Sequence, residues 1–253
     1  MSSLFADDAV IRRLGREGAL VVGGGRALLM QLAHPSVSQA VADHSGFEAD
    51  PLRRLRATLE ATLTIVFGTD EEASAVACAI REVHDRAVGP GYRANDPALL
   101  CWVNATLTDT AMRVYGDLIG KLTDADAARY YEESTRVAEV LGCPREQQPA
   151  DLEDFRAYVR EMVETLEVSE VARRLGHSVL HPRLSIVAEP PLALFRFVTV
   201  GMLPRPLREQ YGLRWDGRRK LVLRAGTTAT RTMLTMVPPP IRHAPLMYFN
   251  WAA

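Results

Sequence analysis

His84 is the residue whose type and spacing say most about chemistry. Steps of three and four lead from Ala77 through Ile80 to His84 and Ala87, which places the imidazole on the inward face of a helix. A lone histidine on such a face is commonly a hydrogen-bonded core residue. Its surroundings favour a sharper reading. Thr69-Asp-Glu-Glu72 is a capping box that opens this helix, and a second apolar stripe runs up to Gly68 just before it, so an antiparallel helical hairpin is predicted. Arg54 and His84 each lie fifteen residues from Thr69, hence about 22 Å from the turn and level with one another. Thr58 follows Arg54 by one turn on the same flank. An imidazole on an apolar face suits the axial position of a haem iron, an arginine suits a propionate or reduced oxygen, and a threonine supplies a hydrogen bond. No CxxCH is present, so covalent attachment is not implied.

Other residues invite other chemistry. Gly23-Gly24-Gly25 after Leu20-Val21-Val22 has the look of a dinucleotide loop, but no βαβ alternation follows and Ala27 to Ala33 continues as helix. A close crossing of two helical segments is the expected explanation. His44, the doublet His84-Asp85 and Asp109 together would suit a metal-dependent phosphohydrolase of the HD type. Adjacent helical residues point about 100° apart, which weighs against that set. His34, held at a helix end by Pro35, and His44, after Asp43, are pocket candidates whose alternative roles are capping and core hydrogen bonding. A protein that binds haem or lipid without turnover would use the same kind of pocket.

The elements that must position these groups are helical almost throughout. Asp50-Pro51 and Asp96-Pro97 each pair an N-cap with a proline at the first helical position. Helices are predicted over 51–67, from Thr69 to near Gly89, from Pro97 to Gly116, from Thr123 to Leu141, and near 151–167, 169–180, 191–209 and 216–236. Residues 237–253 read as an irregular tail after Pro238-Pro239-Pro240. The fold class is all-α, and with no repeat or linker the economical organisation is a single domain over 1–253.

Composition narrows the function classes. The 253 residues are 47% hydrophobic, enough to bury roughly three quarters of the unfolded surface. Thirty basic and 31 acidic residues are interspersed, so no nucleic-acid partner is expected. Cys78, Cys101 and Cys143 are odd in number and widely spaced, which argues against a disulfide framework or a thiolate zinc site. Lys121 and Lys220 are the two lysines, leaving few Schiff-base candidates. The run Leu192 to Leu203 contains Arg196 and is too short to span a bilayer. The N-terminus lacks the features of a signal peptide, so a cytoplasmic location is expected.

Several motifs occur together in order: Leu28-Leu-Met-Gln-Leu-Ala-His-Pro35, Val41-Ala-Asp-His-Ser45, Phe67-Gly-Thr69, Val83-His84, Tyr92-Arg-Ala-Asn-Asp-Pro97 and Tyr211-Gly-Leu213. This set, covering about residues 10–235, resembles the family containing the catalytic domain of rubber oxygenase (latex clearing protein) and the endoplasmic-reticulum oxygenase of mycophenolic acid biosynthesis. The resemblance implies a globin-like helical core holding haem b and O2-dependent oxidation of an organic substrate, with electrons from an unidentified donor. It assigns His84 as proximal iron ligand and Arg54 and Thr58 as its partners, with His34 a further cofactor-binding candidate. Ala57 stands where rubber oxygenase has a lysine that can ligate the distal side, and Asn104 where relatives often have histidine. Without an export signal, rubber is not the expected substrate. A small or medium apolar molecule fits better, and by analogy with the family a double bond is the expected target.

Overall fold

The computed structural model describes residues 2–44, 51–182 and 189–247, and the side chains of these except 51–55 and 244–247. The chain is all-α. In order, the helices are α1 (Val10–Gly15), α2 (Gly24–Ala33), α3 (Pro35–His44), α4 (Pro51–Phe67), α5 (Asp70–Arg86), α6 (Pro97–Leu118) and α7 (Asp124–Leu141), followed by α8 (Leu152–Thr165), α9 (Glu170–Leu180), α10 (Glu189–Met202), α11 (Arg205–Gln210), α12 (Gly217–Met236) and α13 (Pro239–Met247). A 3-10 turn spans Gly18–Gly23, and a minimal hairpin pairs β1 (Val88–Gly89) with β2 (Tyr92–Arg93).

Local chemistry explains most boundaries. The Thr69 side chain accepts from the Glu72 amide while the Glu72 carboxylate accepts from the Thr69 amide, closing the capping box that starts α5. Asp96 accepts from the Ala98 amide at 2.9 Å with Pro97 in the first turn of α6. Gly142 ends α7 at a φ of 107°, a conformation that favours glycine. The expected cap at Asp50 lies outside the described residues.

Two expectations need correction. The helix read over 191–209 is two helices, because Pro204 disfavours helical geometry at Leu203 and instead caps the start of α11. The tail expected to be irregular contains α13, which starts within the Pro238-Pro239-Pro240 run, where proline is tolerated in a first turn.

Every residue of α2 from Gly25 to Ala33 is buried, which makes α2 the central strut. Trp102 of α6 donates its indole N–H to the Met30 carbonyl at 3.2 Å, and Tyr211 donates its hydroxyl to the Leu29 carbonyl at 2.8 Å. The main apolar cluster forms around these residues with α3, α8 and α9, while a second joins α1, the end of α4 and α7. The close crossing expected at Gly23-Gly24-Gly25 is present: a Cβ on Gly23 would lie 2.5 Å from Thr110 Cγ2 and 2.7 Å from Val114 Cγ2 of α6. Cys78 is exposed on α5, whereas Cys101 and Cys143 are buried, and none forms a disulfide. No helix among the described residues is long and apolar enough to cross a membrane.

Candidate active site

Against the second apolar cluster, which gives Ile11, Val66, Tyr130 and Val137 to its wall, the helices leave a cavity of about 160 Å³ that opens on one side towards solvent. That is room for a small apolar group, on the scale of cavities that take up a single aromatic ring. Its wall comes from α1, the 3-10 turn, α2, α4, α6 and α7, and most of it is apolar, with Leu20, Leu63 and Leu107 among the residues facing it. Gly23 and Gly24 contribute backbone without side chains, so the close crossing also shapes the cavity.

Of the residues singled out by sequence, Thr58 lines this cavity, together with Leu59, Thr62 and Leu63 from the same face of α4. Thr62 donates its hydroxyl back to the Thr58 carbonyl at 2.8 Å, as helix-interior threonines do. Arg54 lies one turn earlier in α4, and its side chain is outside the described residues. His84 continues the inward stripe of Ala73, Ala77 and Ile80 on α5 and is half-buried. Helices α4 and α5 pack together as the predicted hairpin, but His84 is not part of the cavity wall.

His34 and His44 sit elsewhere. The His34 Nδ1 accepts from the Ser36 amide at 3.2 Å just beyond α2. Burial holds its imidazole pKa below the ordinary value, with Asp96 pulling partly the other way. The His44 Nε2 lies 3.0 Å from the Tyr92 hydroxyl, which donates to Asp43 at 2.7 Å. Burial, then the hydrogen bond to Asp43 and its charge, push the Tyr92 phenol up to about 12. These contacts tie the end of α3 to the β-hairpin. The phosphohydrolase set is dispersed: Asp109 pairs with Arg26, and Asp85 accepts from Asn95 at 2.6 Å. Among the described residues no three His, Cys, Asp or Glu side chains converge as a metal site would require.

The cavity also has polar groups that sequence reasoning missed or left in doubt. Asn104 lines it and donates from Nδ2 to the Ser134 carbonyl at 3.2 Å. Tyr130 of α7 is 7% exposed and faces the cavity. Burial, and secondarily the charge of Glu133, raise its phenol pKa well above the ordinary value, so it stays a neutral donor. Glu17 lines the cavity from the segment between α1 and the 3-10 turn. The available signal for it was a charged residue between Gly15-Arg16 and Gly18 at the start of an apolar run.

A mostly apolar cavity with a few polar groups inside an all-α frame has the character of a small-molecule site. A family model described as ER-bound oxygenase mpaB/B'/rubber oxygenase, catalytic domain, matches residues 11–232, and the chain belongs to this family of oxygenase catalytic domains. An uncharacterised protein of Mycobacterium bovis, Mb2261, is 29% identical over 203 residues, which cover 75% of this chain and 78% of that protein. The Mycobacterium tuberculosis protein Rv2237 matches to the same extent.

Proposed function

We propose that the protein is a haem b-dependent oxygenase that oxidises a small or medium apolar substrate with O2. The observation that carries this reading is the cavity, whose wall includes the family-motif residue Thr58. Its apolar lining suits an organic substrate, and its opening towards solvent is where a larger planar group would adjoin it. Among the described residues the wall has no histidine, cysteine, methionine or lysine, so on this reading the nitrogen ligand comes from the adjoining hairpin arm. His84 is the candidate there: it is half-buried, inward-facing and on the helix packed against α4. One imidazole suffices for a haem, whereas a hydrolytic metal centre needs a set of donors.

When bound, haem supplies an iron that activates O2 with electrons from a donor protein or small reductant. The chain supplies the rest. His84 would hold the group and set its electron richness, Arg54 would neutralise a propionate or developing negative charge, and Thr58 would position a polar atom by donating its hydroxyl. The apolar walls exclude water from the reacting substrate and strengthen those interactions.

The test is an absorption spectrum and an oxygen-uptake assay on the purified full-length protein. The expected result is a Soret band that is lost in His84→Ala and kept in His34→Ala, with reductant-dependent O2 uptake on an unsaturated apolar substrate. A Soret band that persists in His84→Ala removes the ligand assignment. A colourless protein after growth with a haem precursor overturns the haem reading. Haem without uptake makes the protein a carrier.

A further inference from the structure

Glu17 is 4% exposed and lines the cavity. Its position is set by backbone bonds on both sides, from its own amide to the Leu14 carbonyl at 2.9 Å and from the Leu20 amide to its carbonyl at 3.0 Å. One carboxylate oxygen, Oε1, is engaged by α13: Arg242 donates from Nη2 at 3.0 Å, and His243 Nε2 lies 3.5 Å away. The other oxygen, Oε2, is buried and has no hydrogen-bond partner among the described residues. A carboxylate oxygen withdrawn from water without a donor is costly, and such groups in folded proteins have a specific reason. Here a reason is adjacent to it: the same residue is part of the wall of the cavity.

We propose that Glu17 is the polar anchor of this cavity and that its Oε2 accepts a hydrogen bond from a hydroxyl on an otherwise apolar ligand. The charge state selects the alcohol over an amine. Arg242 already balances the carboxylate, so a second cation would introduce an unpaired positive charge, whereas a neutral O–H satisfies the oxygen without one. A purely hydrocarbon ligand would leave Oε2 sealed in without a donor. The substrate class is therefore a medium-sized apolar alcohol. This inference rests on the reading of the cavity as the substrate site.

The experiment is calorimetric titration of the full-length protein with dec-9-en-1-ol and with its methyl ether, which has the same chain and no O–H to donate. O2 uptake is measured on the same samples. Wild-type protein is expected to bind the alcohol at least about tenfold more tightly, the scale of one hydrogen bond to a charged group. In Glu17→Met the two affinities converge, and in Glu17→Gln, which keeps an acceptor oxygen, part of the preference returns. Equal binding of both probes by the wild type overturns the proposal, and this comparison does not depend on any variant folding. A preference that survives in Glu17→Met overturns it as well. Binding of neither probe removes the cavity as the substrate site. Selective alcohol binding without O2 uptake supports the anchor while defeating the oxygenase reading.

Discussion

Arg26 of α2 and Asp109 of α6 form an ion pair at 2.6 Å, with the arginine side chain 6% exposed and the aspartate 30%. The same guanidinium donates from Nε to the Met202 carbonyl at 2.9 Å and from Nη1 to the Thr110 hydroxyl, so one buried cation ties α2 to the middle of α6 and the end of α10. Truncating one member of a buried pair leaves the other uncompensated, at a cost of about 3–5 kcal/mol. Arg26→Met should lose stability near the lower end of that range, because Asp109 keeps some access to water. Urea unfolding checks this, and a loss below about 1 kcal/mol would show the tie to be dispensable.

Acid should weaken the fold through His34. Its pKa is lowered in the folded state from the ordinary 6.5, so the unfolded chain takes up the proton more readily. The stability held by the neutral ring is complete above pH 6.5 and declines as pH falls from there through the folded-state pKa. The Ser36 amide already donates to Nδ1, so protonation of that nitrogen forfeits a hydrogen bond. His34→Asn should flatten the slope of unfolding free energy against pH below 6.5. An unchanged slope would assign the acid sensitivity to other groups.

Gly23 should tolerate no side chain. A methyl there would meet Thr110 Cγ2 at 2.5 Å and Val114 Cγ2 at 2.7 Å, and overpacking of this kind costs about 1–3 kcal/mol. Gly23→Ala should lower the thermal midpoint and, by prising the 3-10 turn from α6, change the shape of the cavity. The absence of both effects would mean that the crossing relaxes freely.

Tyr130 separates ligand binding from folding. Its hydroxyl makes no hydrogen bond to another group among the described residues, so Tyr130→Phe should change stability by less than about 1 kcal/mol. If a ligand oxygen accepts from this phenol, the same variant should weaken binding by about five- to tenfold. A large loss of stability would instead reveal a structural role for the hydroxyl.

The helical frame was legible because its signals are local. The Thr69 capping box, the Asp96-Pro97 start and the Gly142 stop each involve a few consecutive residues, and the α4–α5 pairing follows from the short turn between them. The inward stripe of α5 was legible for the same reason, but periodicity tells which way His84 faces and not what it meets. The cavity was not legible, since its wall is assembled from six separate elements. Glu17 was missed because its meaning depends on Arg242, 225 residues away. Asn104 was noticed as a departure from the family pattern, and its place in the wall emerges only when α6 is set against α7.

The distribution of the three thiols has a practical consequence. Cys101 and Cys143 are shielded, and burial raises the pKa of both, so at neutral pH neither is poised to attack an alkylating reagent. Cys78 stands outside on α5, six residues from His84 and so about 9 Å along the axis. A nitroxide or fluorophore attached to the unaltered polypeptide would therefore land at one position. From there it could report movement of the helix that bears the imidazole without any cysteine having to be engineered away.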